Sequence, residues 1–131
     1  MAHGITPFLM FEGAAEEATR FHVSLFARSE VKQIEHDKSG EMGPEGSVKR
    51  AGFTLAGQAV IRTDGPARHA FIFTPSVSLF VECEDEAEFD NVFARLADGG
   101  KLPMPPDNYG FSRKLGWLID RFGVSWQTYP S

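Results

Sequence analysis

Apolar residues recur along this chain with two periods, and the arrangement occurs twice. Ala18, Phe21 and Leu25, with His22 among them, stand at the i, i+3, i+4, i+7 spacing of one helix face. Phe89, Val92, Phe93 and Leu96 repeat that spacing 71 residues later. An apolar strand precedes each helix, Pro7 to Phe11 and Ser78 to Glu82, again 71 residues apart. The pattern predicts two strand-then-helix units in pseudo-twofold relation, with a functional cleft where the halves meet.

The remaining elements follow from punctuation. Ile5 to Phe11 reads as a strand buried on both faces, broken by Gly13. Glu16 and Glu17 favour a helix start, and the helix is predicted to run to about Ala27. Ser29 to His36 alternates as a strand, and 37–46 is turn chemistry throughout. Val48 to Ala56 and Gln58 to Thr63 flank Gly57 as a hairpin. Residues 66–75 form the crossover. Ser76 to Cys83 is the next strand, and Asp85 with Glu88 has capping-box spacing. That helix is expected to end at Gly99-Gly100. A short strand, Leu102 to Met104, precedes a loop over 105–110, and a last hairpin turns at Gly123. Each half therefore reads β-α-β-β-β. The fold class is α+β, with two modules, 1–65 and 66–131, whose curved mixed sheets surround a cleft.

Composition adds to this picture. Twelve Phe, two Trp and two Tyr in 131 residues imply a ring-lined interior or cleft. The net charge of −5 argues against nucleic acid or an anionic membrane as partner. A single cysteine, Cys83, forms no internal disulfide, which points to a reducing, cytoplasmic setting. No apolar stretch approaches the ~18 residues of a membrane span.

Four segments then carry a resemblance. They are Ile5–Phe11 (ITPFLMF), Phe53–Gln58 (FTLAGQ), Ser78–Cys83 (SLFVEC) and Gly116–Gln127 (GWLIDRFGVSWQ). In this order the chain resembles the vicinal oxygen chelate superfamily of glyoxalase I, bleomycin- and fosfomycin-resistance proteins and extradiol dioxygenases. Within it, the text is similar to the PhnB-like branch, which also bears the label 3-demethylubiquinone-9 3-methyltransferase. Phe21-His22 departs from the Phe-Tyr usual in that branch.

The resemblance implies paired β-α-β-β-β modules and, in metal-using relatives, ligands on equivalent strands of both. Carried over by position, these fall on Ile5 or Thr6, on Ile61, on Ser76 or Ser78, and on Gln127, where relatives have Glu. One amide and one or two hydroxyls are a poor set for a divalent ion, so no metal or other cofactor is expected. The expected partner is a small molecule held in the cleft, with Ser76, Ser78, Gln127, Ile61, Trp117, Phe53 and His69 as candidate lining. Trp117 fits either face of its strand. The alternative is a divalent-metal lyase or isomerase of the same superfamily. The resemblance also implies a homodimer.

Other candidates read as structure. His22 on an apolar helix face is expected to be a core histidine bonded to a backbone carbonyl, not an acid–base group. His3, His36 and His69 read as solvated. Cys83 precedes Glu84-Asp85-Glu86, which disfavours a thiolate. The strand-to-helix turns, 12–14 and 84–86, lack the glycine-rich phosphate cradle of a nucleotide-type methyl donor site, so methyl transfer of that kind is not expected.

Overall fold

Each half of the chain builds its own four-stranded mixed sheet and lays one helix across it. The structure, a computed structural model, describes residues 2–65, 73–110 and 114–130. The chain divides into two compact units, Met1–Ala70 and Phe71–Ser131.

The first unit contains β1 (Phe8–Phe11), α1 (Ala15–Val23), β2 (Glu30–His36), β3 (Val48–Leu55) and β4 (Gln58–Asp64). Its sheet has the order β1-β4-β3-β2, with β1 parallel to β4 and the other pairs antiparallel. The β3–β4 hairpin turns on Ala56 and Gly57, both at positive φ (48° and 87°). Two such residues give a turn whose twist matches the flanking strands, and glycine takes that conformation without a Cβ clash.

The second unit repeats the plan with β5 (Leu79–Cys83), α2 (Glu86–Ala97), β6 (Lys101–Asp107), β7 (Leu115–Ile119) and β8 (Ser125–Pro130). Its sheet order is β5-β8-β7-β6, with β5 parallel to β8. The Asp85 carboxylate accepts from the Glu88 amide at 2.8 Å, and Glu88 in turn accepts from the Glu84 amide at 2.6 Å. Two orphan amides at the helix entry are thus satisfied reciprocally.

Several sequence expectations are corrected in detail. The strand repeat is offset by 72, not 71: Phe8 pairs with Ile61 and Phe80 with Gln127. Ile61 and Gln127 each stand four residues beyond their turn glycine, Gly57 and Gly123. The helices keep the spacing of 71, from Ala15 to Glu86, because the first strand-to-helix turn holds one more residue. β1 is shorter than expected and buried on one face only. Phe11 is 3% exposed, whereas Ile5, Phe8 and Met10 are exposed, because β1 is an edge strand and α1 covers one side of its sheet. Helix α1 stops at Val23, not near Ala27. The Ser24 hydroxyl and amide both reach the Phe21 carbonyl, and the Leu25 amide reaches His22, so i→i+3 bonds close the last turn. Strand β6 extends through Asp107 although Pro103, Pro105 and Pro106 lie within it. It is an edge strand, where a missing N–H is tolerated, and its pairing with β7 is irregular.

The cores lie between each sheet and its helix. Phe89, Val92, Phe93 and Leu96 of α2 meet Leu118 and Trp126 there, all buried. Burial of each such side chain contributes roughly 1.5–3 kcal/mol. The approach is close at Gly116, where a Cβ would lie 2.3 Å from the Phe93 ring.

Candidate functional site

In the second unit the face of the sheet away from α2 gathers three of the chain's candidates, Ser78, Trp117 and Gln127. Gly116 meets Phe93 of α2. Strand alternation therefore turns Trp117 to the opposite face, which settles the side that sequence left open. Trp117 pairs directly with Gln127, and Gln127 pairs with Phe80. The Trp117 indole N–H donates to the Ser125 hydroxyl at 2.8 Å, and Ser125 shares a 2.6 Å hydrogen bond with Ser78. The Phe80 and Tyr129 rings lie 5.3 Å apart, tilted at 48°.

The roles of these groups differ. Ser78, Ser125 and the indole form a closed chain that fixes the Trp117 ring. Gln127 is half-buried, and its side-chain amide has no hydrogen-bond partner among the described residues. It is the open polar group on a surface otherwise framed by rings, an arrangement that gives a small ligand apolar area and one orienting contact. Counting alternate residues from Gln127 names Ser125 and Tyr129. Phe80 needs the pairing register, which no local pattern supplies.

The other candidates are not part of this cluster. Ser76 lies in the turn before β5 and bonds to Thr74, its amide and hydroxyl both reaching the Thr74 hydroxyl. Phe53, expected to line the cleft, is instead a core residue of the first unit at 2% exposure. Its neighbour Gly52 pairs with Ile61, so alternation sends Phe53 to the α1 side, where the Arg62 guanidinium sits 4.7 Å from its ring centroid. Ile61 is half-buried on the face of the first sheet away from α1, between Phe8 and Gly52. His69 lies outside the described residues.

The first unit holds a polar core that sequence reading missed. Arg62 is fully buried between the Phe11 and Phe53 rings, with Nη1 2.7 Å from His22 Nδ1 and 3.4 Å from the Thr19 hydroxyl. His22 is buried as expected, but this partner is a guanidinium, not a backbone carbonyl. A guanidinium only donates, so Nδ1 accepts and carries no proton in this contact.

A surface cavity of about 440 Å³ beside β3 and β4 includes Asp37, Glu41 and Asp64 in its lining. Their oxygens serve the protein itself. Asp37 accepts from the Ser47 hydroxyl, Glu41 from Lys49 and the Lys38 amide, and Asp64 from three backbone amides. The Lys49 ammonium, then the Lys38 amide, hold the Glu41 carboxyl below its ordinary value.

Side chains of the same unit also serve amides at both helix entries. Asp64 Oδ1 accepts from the Gly13 and Ala15 amides, and the Asp85–Glu88 box closes α2.

A family profile described as 3-demethylubiquinone-9 3-methyltransferase matches residues 3–129. The chain belongs to this family. A PhnB protein from Bacillus cereus bearing the same family label is 49% identical over 98% of this chain and 100% of its own, with a TM-score of 0.95. A Pseudomonas aeruginosa protein is 24% identical, covering 99% and 98% of the two chains, with a TM-score of 0.85. The fold also matches FosX, a fosfomycin resistance protein of Listeria monocytogenes complexed with Mn(II) and sulfate. That chain is 14% identical at a TM-score of 0.62, covering 100% of this chain and 94% of its own. The family therefore has the vicinal oxygen chelate fold, each module a four-stranded mixed sheet. A comparison with curated proteins finds no match.

The fold relatives raise a divalent ion as a possibility, and the residues do not fit one. Ile61 and Gln127 occupy matching positions, flanked by Phe8 and Gly52 in one sheet and by Phe80 and Trp117 in the other. Of these six residues only Gln127 has a side-chain oxygen, and Ser78 is committed to Ser125. A divalent site needs about three good donors. Among the described residues no three His, Cys, Asp or Glu are placed to hold a metal. No helix there is long and apolar enough to cross a membrane.

Proposed function

We propose that this family member is a small-molecule binding protein, with the Trp117–Gln127–Phe80 face of the second sheet as a wall of its site. The observation that carries the reading is the half-buried Gln127 amide, unpartnered among the described residues and set between two aromatic rings. Such a surface suits a partly aromatic or amphipathic molecule: the rings supply contact area, and the amide offers an NH2 that donates and a carbonyl that accepts. The fixed indole favours binding further, because little side-chain freedom is left to lose.

The reading contains no metal chemistry, since the donor set at the family positions is one amide. It contains no methyl transfer, since neither strand-to-helix turn, 12–14 or 84–86, has the glycine-rich cradle of a nucleotide-type methyl donor site. The working form is taken to be a homodimer, an assembly that light scattering at micromolar concentration reports directly.

The test is a screen of small aromatic and amphipathic compounds against Trp117 emission. Trp126 is 1% exposed and its indole N–H donates to Asp120, so it contributes a constant background. Binders are expected to shift the emission of the native chain, and Gln127→Ala is expected to weaken them about tenfold. Binders whose affinity, followed by calorimetry, is unchanged in both Trp117→Phe and Gln127→Ala place the site elsewhere and defeat the reading.

A further inference from the structure

We infer that the Phe80–Tyr129–Glu82 corner of this face receives an ammonium group of the ligand. The inference rests on the small-molecule reading above and names the charge of what is bound. Glu82 pairs with Tyr129 and shares the face of Phe80, two residues away on the same strand. Two tilted rings with a carboxylate beside them provide what a cation needs on an otherwise apolar surface: ring faces of negative potential and a formal counter-charge.

The surroundings agree. Neither β5 nor β8 carries a basic residue, so nothing on these strands competes for the carboxylate. Lys114, at the entry of β7, is paired with Asp90 of α2 at 2.8 Å. Lys101 lies on the outer strand opposite Ile119, and Ile119 pairs with Ser125, at the far end of β8 from Tyr129. Glu82 stands opposite Tyr129 in the register, and burial, then the neighbouring Glu82 carboxylate, push the Tyr129 phenol above its ordinary value. Phe80 is 57% exposed, leaving its ring accessible from solvent. An anion would meet Glu82, whereas an ammonium meets the rings and the carboxylate together.

The intact chain is titrated with choline and with 3,3-dimethylbutanol, its uncharged isostere, following the Phe80 and Tyr129 ring resonances. Choline is expected to bind about three- to tenfold more tightly. Glu82→Gln, at an exposed position, is expected to bring the two probes close to level, and Phe80→Ala to weaken both. Equal or tighter binding of the alcohol overturns the charge assignment and leaves the small-molecule reading standing. So does silence from both probes while a screened compound still moves Trp117 emission. If no probe or screened compound perturbs the face, both fall.

Discussion

Arg62 donates from Nη1 to the Nδ1 of His22 across 2.7 Å, in the core of the first unit. The repeat places Phe93 where His22 stands, so the two modules solve one packing position in different ways. Replacing His22 by Phe removes an acceptor from a fully buried guanidinium. The expected cost is about 3 kcal/mol. The double variant His22→Phe/Arg62→Met is expected to recover most of that loss, because the charge leaves with its partner. Urea unfolding of both variants checks the pair; additive losses would show that the contact has little weight.

Asp64 joins three elements. Its carboxylate accepts from Gly13 and Ala15 at the α1 entry, at 2.8 and 3.0 Å, and from Val48 at the start of β3, at 2.9 Å. Ala14, the helix-capping residue, contributes no side-chain cap. Asp64→Ala is expected to cost about 2–4 kcal/mol, more than an ordinary lost cap, since several buried amides lose their acceptor together. Hydrogen exchange should report it first at Gly13, Ala15 and Val48.

At Gly116 a Cβ would meet the Phe93 ring at 2.3 Å, while one at Gly52 would meet nothing within 4 Å. Gly116→Ala is expected to destabilise by about 1–3 kcal/mol through overpacking, and Gly52→Ala to stay within about 0.5 kcal/mol. Thermal melts of the two variants make the comparison.

Much of this fold was legible because two periodicities are strong. The α2 stripe, Phe89 to Leu96, and the two hairpins follow from spacing and turn glycines alone. What sequence could not show depends on distant partners. The Arg62–His22 contact spans 40 residues, and a charged residue on a strand reads by default as solvent-facing. The extent of β6 was obscured by three prolines, which forbid a central strand but not an edge. In the candidate site, Gln127 follows from the family pattern and Trp117 from the chain's wealth of aromatics. Their adjacency, and the membership of Phe80, depend on strand register. Phe53 was misplaced because its face is set by Gly52 pairing with Ile61, and nothing local to Phe53 encodes that.

Burial, then the Glu88 and Asp85 carboxylates, push the Cys83 thiol up to about 11 from 9.0. Raised in the fold, it contributes stability that is full below the unfolded value and is lost as pH rises from about 9 to about 11. At pH 8 the native chain is expected to resist a thiol-disulfide reagent, reacting only when unfolded. Rapid native labelling at pH 8 would contradict this.

The most direct measurement is a crystal structure grown with Mn(II) and the tightest compound from the fluorescence screen, with anomalous data collected for manganese. The account predicts ligand density against Trp117, Gln127 and Phe80 and no anomalous peak beside Gln127. Manganese coordinated by Gln127, or a ligand lying away from that face, would contradict it.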